Sequence, residues 1–134
     1  MSKRMPAAAV LVFATLVAAL ALQAQSVPQR VNVPFKFNLT EKAYQPAMYY
    51  FRYDGSTEQV ELLSRDKSLL TRVRVITRLA PTPGAKNDGH VRLVFDQVGE
   101  ERYLSEVWMP GIDGLLVRAT SERHKHEAVE GSDK

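Results

Sequence analysis

The sequence contains no cysteine among its 134 residues. This absence excludes disulfide bonds, thiol nucleophiles, cysteine-ligated zinc and dithiol redox pairs. The sequence also lacks a glycine-rich phosphate-binding loop and a Gly-x-Ser-x-Gly nucleophile motif, which are local signatures of nucleotide binding and of one hydrolase class. We therefore predict no cofactor, and a domain that is held together by its apolar core without disulfides.

A strong charge of one sign is also missing. The chain has 18 Lys and Arg residues against 15 Asp and Glu residues. Lys3 and Arg4 belong to the N-terminal leader described next, so its removal leaves 16 basic residues against 15 acidic ones, a net charge of +1. Nucleic-acid-binding domains carry clustered positive charge, and we therefore predict no nucleic-acid partner.

The one long apolar run is N-terminal and has the pattern of a signal peptide. Lys3 and Arg4 precede Ala7–Leu22, an uncharged run of 16 residues, and small or polar residues follow it. An uncleaved membrane anchor is the alternative, but a full span needs about 20 apolar residues. We expect cleavage after Ala24, with cleavage after Ala21 as the second choice.

This leader predicts export. Residues 1–24 are expected to be a helical signal peptide and residues 25–30 a short tether. No cysteine follows the apolar run, which excludes a lipid-anchored lipoprotein. We predict a periplasmic or secreted bacterial protein with no stable membrane span after the leader is cleaved.

The stretch His90–Gly111 predicts a β-hairpin. In its first half, apolar residues alternate with others, with Val91, Leu93 and Phe95 on one face; this is the period of a half-buried strand. Gly99 supplies a residue for positive φ at the turn. The second half, ERYLSEVWM, is rich in the aromatic and β-branched residues that favour strands.

The fold class predicted is all-β, a small antiparallel sandwich or barrel of about seven strands. With the hairpin, strands are expected at residues 31–39, 48–53, 58–63, 69–79 and 115–120. Residues 31–120 would form a single β domain that includes a polar loop at residues 80–89. Residues 121–134 are expected to be a polar C-terminal tail, for which a short helix beginning at Ser121 is one alternative.

Two groups of side chains are candidates for binding. An aromatic stripe in the strand at residues 48–53, together with the single tryptophan, could contact a ligand: Tyr49, Phe51, Tyr53 and Trp108. Core packing is the favoured interpretation, with Trp108 packed beside residues 31–39 or 48–53. A basic row could bind an anion: Arg72, Arg74 and Arg78. Pairing with acidic residues on neighbouring strands is the favoured alternative.

The histidines give a weak metal signal. His124 and His126 flank Lys125 and could share one strand face, but a zinc site takes three or four protein ligands. The local sequence supplies no third strong ligand, so we predict no metal site.

Asp96 and Glu106 could face each other across the hairpin as paired carboxylates. No credible pair of nucleophile and base is present, and we predict no enzymatic activity.

Several motifs resemble a group of small exported β-domain proteins best represented in Acidobacteria. The matching segments are VPFKF, QPAMYY, LLSRD and RLVFDQVGEERYLSEVWMPG. The resemblance extends over nearly the whole chain after the leader. The sequence departs from the group's pattern at Gln45, Met48 and Val98, and Lys67 stands where the pattern has a glycine. The resemblance implies an exported single-domain β-protein and implies no reaction.

We therefore expect a non-enzymatic β-domain with a binding or structural role at the bacterial cell envelope. Its partner would be an envelope protein or a small apolar ligand. The first alternative is a lipocalin-like barrel that carries an apolar or amphipathic ligand. A hydrolase is a weaker alternative. An exposed apolar patch or an open strand edge would favour the interaction module, and a large lined cavity would favour the carrier.

Overall fold

The computed structural model describes residues 26–81 and 89–131. The predicted leader, most of the predicted loop and the last three residues lie outside these ranges. The chain within them forms eleven strands and no helix, which confirms the all-β prediction and exceeds the expected number of strands. No helix of this part is therefore long and apolar enough to cross a membrane. The strands are β1 Gln29–Val33, β2 Phe37–Leu39, β3 Lys42–Tyr44, β4 Ala47–Asp54, β5 Gln59–Leu63, β6 Leu69–Arg74, β7 Thr77–Leu79, β8 Arg92–Val98, β9 Glu101–Trp108, β10 Gly114–Leu116 and β11 Lys125–Glu130.

The strands form two sheets. The first has the order β1-β4-β5-β6, and the second has the order β11-β8-β9-β10-β7. The short hairpin of β2 and β3 joins the second sheet through one parallel pairing of β2 with β9, at Asn38 and Tyr103. All other pairings are antiparallel. Short turns account for this only between successive strands, such as β4 and β5 or β8 and β9.

Two segments that were each predicted as one strand are divided between the sheets. Residues 31–39 form β1 and β2, and the chain leaves β1 at Pro34, which has no N–H to continue a ladder. Residues 69–79 form β6 and β7, separated by Val75 and Ile76. Alternation of side chains is the same on both sides of each break, so the sequence pattern does not reveal that the partner strands change.

A single apolar core lies between the sheets. Phe37 of the second sheet and Phe51 of the first are both fully buried. The ring of Phe37 makes edge-to-face contacts with Tyr49 at 5.5 Å and with Phe95 at 5.4 Å between centroids, so aromatic packing joins the two sheets. The aromatic stripe of β4 is part of this core, which is the favoured interpretation of Tyr49, Phe51 and Tyr53.

The predicted hairpin is confirmed, with a bulge that the alternation did not show. β8 pairs with β9, and Gly99 at their turn has φ +61. Phe95 pairs with Leu104 and Leu93 with Val107, so the register shift leaves Ser105 as an extra residue. Leu104 and Val107 therefore both face the core, although strict alternation places them on opposite faces.

Both ends of the domain extend beyond the predicted limits. The predicted tether is part of the fold, since the Ser26 N–H donates to the Tyr53 carbonyl at 2.9 Å and β1 begins at Gln29. The predicted polar tail contributes a strand to the fold: β11 occupies Lys125–Glu130 and pairs along β8, and the alternative of a short helix from Ser121 does not form. Cross-strand pairing with an existing sheet edge outweighs the weak local helix signal.

Lys67 occupies a strained turn between β5 and β6. Its φ of +67 lies in the left-handed region that glycine favours. The Lys67 N–H donates to the Ser64 carbonyl at 2.8 Å. Hydrogen bonds from Ser64 and Ser68 hold the pKa of Asp66 at about 2, so this turn is closed by an ionised carboxylate.

Candidate functional site

A buried carboxylate and two imidazoles meet where β8 pairs with β11. Asp96 is only 2% exposed, although it lies on an outward-pointing position of β8. Its register partner in β11 is His126, whose Nδ1 lies 3.0 Å from Asp96 Oδ1. His124 Nε2 lies 3.9 Å from the same oxygen. One ligand atom from each of the three residues lies within 4.8 Å of the others.

The orientation of His124 is fixed by the backbone. Its Nδ1 is 2.7 Å from the carbonyl oxygen of Glu122. A carbonyl only accepts, so Nδ1 donates this hydrogen bond, and Nε2 is the ring nitrogen that faces Asp96. The His124 and His126 rings pack edge to face with centroids 4.8 Å apart.

Arg118 borders the same carboxylate on its other side. Its Nη1 is 3.9 Å from Asp96 Oδ2, and its guanidinium lies over the Tyr103 ring at 3.9 Å from the centroid. The Ser105 bulge holds this segment, since the Ser105 hydroxyl donates to the Arg118 carbonyl at 3.0 Å. Among the described residues, neither Asp96 Oδ1 nor Arg118 Nη1 has a hydrogen-bond partner. Both atoms are buried, so each lacks the hydrogen bond that would compensate for its loss of hydration.

The premise of the negative metal prediction is wrong. That prediction depended on a polar tail with no third ligand, whereas the structure places His126 in β11 and brings Asp96 to both histidines. In the sequence, the spacing of His124 and His126 was the feature that could have indicated this cluster. Asp96 and Glu106, which the sequence allowed to face each other across the hairpin, do not pair: Asp96 pairs with Tyr103 and Glu106 with Val94.

Trp108 lies on the outer face of the second sheet. Its indole N–H donates to Glu106 Oε1 at 2.9 Å, and Arg92 lies over its ring at 5.2 Å. On the neighbouring strand β10, a Cβ at Gly114 would come within 2.7 Å of the indole. The indole therefore packs against β10 at a position where only glycine leaves enough space. The expected packing of Trp108 beside residues 31–39 or 48–53 is therefore wrong, and the indole is half-buried.

The predicted basic row does not converge on one point. Arg72 of β6 pairs with Glu61 at 3.0 Å, and Arg52 of β4 pairs with the other oxygen of Glu61 at 2.6 Å. Arg78 lies in β7 of the second sheet, where its Nη2 donates to the Tyr53 hydroxyl at 2.8 Å. Arg74 is exposed on β6.

Glu61 is an ionised group in an almost fully buried position. Its exposed fraction is 3%. Burial alone would raise the pKa of Glu61, but the hydrogen bonds and charges of Arg52 and Arg72 outweigh it and lower the pKa below its ordinary value of 4.5. The favoured alternative for Arg72, pairing with an acidic residue across the sheet, is the contact observed.

The edge formed by β6 is a second feature of interest. In the described part of the chain, β6 is the last strand of the first sheet, with β5 as its one neighbour. Leu69 and Leu70 on this strand are 43% and 42% exposed, and Ile76, just beyond it, is 59% exposed. Beside the edge lies an open cleft of about 510 Å³, lined by Asn38, Leu39, Thr40, Glu41, Val73, Tyr103, Leu104, Val117 and Arg118.

In the described part of the chain, these features define an all-β domain of two packed sheets with an exposed apolar edge and a cluster in which two imidazoles meet a buried carboxylate. No protein-family model, curated protein or solved structure matches the chain.

Proposed function

We propose that the protein is an exported bacterial β-domain that binds another macromolecule at the cell envelope and catalyses no reaction. The observation that carries this proposal is the open edge of β6, where Leu69 and Leu70 are exposed and the outer side of the strand has no neighbour among residues 26–81 and 89–131. Soluble proteins usually protect such edges, since they add strands from other chains. The N-terminal leader pattern and the resemblance to exported β-domain proteins support the location.

The interior weighs against the alternative of a ligand carrier. A carrier barrel keeps a cavity at its centre, whereas here Phe37, Phe51 and Phe95 are fully buried within one continuous core. The hydrolase alternative has no support from Ser105, because its hydroxyl donates to the Arg118 carbonyl rather than to a histidine.

The occupant of the β6 edge would be an extended segment with alternating apolar and acidic residues. Main-chain hydrogen bonds along the free side of β6 would supply affinity that does not depend on sequence. The exposed Leu69 and Leu70 would contact its apolar residues. Arg74 at the other end of the strand, exposed and positively charged, would attract its acidic ones.

The edge is tested with a synthetic peptide of about ten alternating valine and glutamate residues. Added to the isotope-labelled exported protein, the peptide should shift the backbone amide signals of β6 and of the adjoining cleft. Leu70→Lys should weaken binding about tenfold or more, since burial of a leucine side chain contributes about 1.5–3 kcal/mol.

The matched control is Val27→Lys, at an exposed apolar residue before β1. It should leave the peptide affinity unchanged. Equal affinities for wild type and Leu70→Lys, or signal shifts on a different face, would contradict binding at this edge.

Export is tested by expressing the full sequence with its own leader in a Gram-negative host. The protein should be recovered from the periplasm or medium with an intact mass that starts at Gln25, or failing that at Leu22. Replacing Lys3 and Arg4 together by glutamate should retain the protein in the cell, because the positive n-region is lost. A full-length mass in the membrane fraction would refute the proposed processing.

A further inference from the structure

The cluster of Asp96, His124 and His126 has the composition of a transition-metal site. Imidazole nitrogen and carboxylate oxygen are ligands that zinc and its neighbours in the first transition row accept. The structure places one such atom from each residue within a 4.8 Å group. We propose that these three residues bind one divalent transition-metal ion, with zinc as the representative ion. The proposal does not depend on the function proposed for the β6 edge.

The distances suit a small ion. Tetrahedral zinc with ligands at about 2.0–2.2 Å separates neighbouring ligand atoms by roughly 3.3–3.5 Å. The separations from Asp96 Oδ1 are 3.0 Å to His126 Nδ1 and 3.9 Å to His124 Nε2, one below and one above that spacing. The His126 side chain is 61% exposed, so it has room to rotate toward the other two ligand atoms.

The surroundings hold the ligands as metal sites generally do. A coordinating histidine usually donates its second ring N–H to a carboxylate or a backbone carbonyl, which fixes its orientation. His124 makes this contact with the Glu122 carbonyl at 2.7 Å. Asp96 is fixed more firmly, because it belongs to the central part of β8 with paired strands on both sides.

The buried Asp96 Oδ1 is the second observation in favour of a bound metal ion. Asp96 is 98% buried, and its Oδ1, which faces both imidazoles, has no hydrogen-bond partner in the described part of the molecule. A bound cation would satisfy this oxygen. Arg118 approaches the other carboxylate oxygen, Oδ2, and no closer than 3.9 Å, so it leaves Oδ1 available.

Metal binding would fasten the C-terminal strand to the domain. His124 immediately precedes β11 and His126 is its second residue. β11 is an edge strand of the second sheet, and Asp96 lies in the adjacent β8. Ligands from both strands would make their pairing depend on the ion. Three protein ligands leave a fourth position for water or for an oxygen donor from a partner.

The test is calorimetric titration of zinc chloride into the untagged exported protein after treatment with a chelator. One zinc ion should bind per chain, and the melting temperature should rise with added zinc, because binding to the folded state alone stabilises it. His124→Ala and His126→Ala should each weaken zinc binding by at least about 100-fold. Cobalt should give the visible absorption of a nitrogen- and oxygen-ligated tetrahedral ion in wild type and lose it in both variants.

His90→Ala is the matched control, because it removes the remaining histidine of the sequence while leaving the cluster intact. It should bind zinc like wild type. His126 is exposed, so His126→Ala should fold normally, which circular dichroism verifies. The proposal is overturned if wild type binds no zinc, or if zinc binds with equal affinity to wild type and to both cluster variants; the three residues would then form an ionic network with Arg118 and nothing more.

Discussion

Phe95→Ala is expected to lower the free energy of unfolding by about 3–5 kcal/mol, the usual range for truncating a buried phenylalanine. The Phe95 ring is fully buried and makes edge-to-face contacts with Phe35 at 4.9 Å and Phe37 at 5.4 Å between centroids. β8, which carries it, is paired on both sides, so the surrounding backbone has little freedom to close the cavity. Because domains of this size have about 5–15 kcal/mol of stability in total, the variant should be close to unfolding at room temperature.

Urea denaturation followed by circular dichroism measures this loss. Ile76→Ala is the control, since Ile76 is an exposed apolar residue outside the core; it should change the unfolding free energy by less than about 0.5 kcal/mol. Losses of similar size in the two variants would mean that Phe95 does not lie at the centre of the core.

Glu61→Gln is expected to lower the free energy of unfolding by about 3 kcal/mol. Removing one partner of a buried ion pair typically costs about 3–5 kcal/mol. We expect the low end of that range, because the Arg52 and Arg72 side chains are 29% and 53% exposed and water screens part of the interaction. The amide keeps the shape of the side chain, so the loss would come from charge and not from a cavity.

The dependence on pH separates this charge effect from a packing effect. The pKa of Glu61 is lowered in the folded protein, so its ionised form contributes stability that is complete above the unfolded pKa of about 4.5. That contribution is lost as the pH falls through the lower folded pKa. The difference in unfolding free energy between wild type and Glu61→Gln should therefore be constant from about pH 6 to pH 8 and shrink below about pH 4.5.

Glu100→Ala is the matched control, at an exposed acidic residue in the turn between β8 and β9. It should leave stability unchanged within about 0.5 kcal/mol at every pH. If the effect of Glu61→Gln is the same at low and neutral pH, the ion pair with Arg52 and Arg72 does not contribute as described.

The sequence by itself determined the fold class, the central hairpin and much of the core. Alternation with a period of two is a local property of the chain, and it identified the buried faces of Tyr49, Phe51 and Tyr53 without knowledge of their partners. The turn at Gly99 was predictable for the same reason, because the tolerance of glycine for a positive φ is a local property of that residue.

Only the tertiary structure decided which strands are neighbours. The chain changes sheets after Pro34 and around Ile76 while its alternation continues, so the local pattern is the same for one long strand or two short ones. The bulge at Ser105 reverses the face of every residue that follows it, and this placed Trp108 outside the core.

The candidate metal centre was also decided by the tertiary structure and not by the local sequence. His124 and His126 are recognisable in the sequence as a spaced pair. Asp96 lies on a different strand, and the sequence offered Glu106 as its possible neighbour. The pairing of β11 with β8 brings the three residues together, and it depends on how the two sheets pack as a whole. The pairing of distant strands depends on the burial of the entire core and on backbone hydrogen bonding along a free sheet edge. The residues adjacent to the histidines carry no information about either.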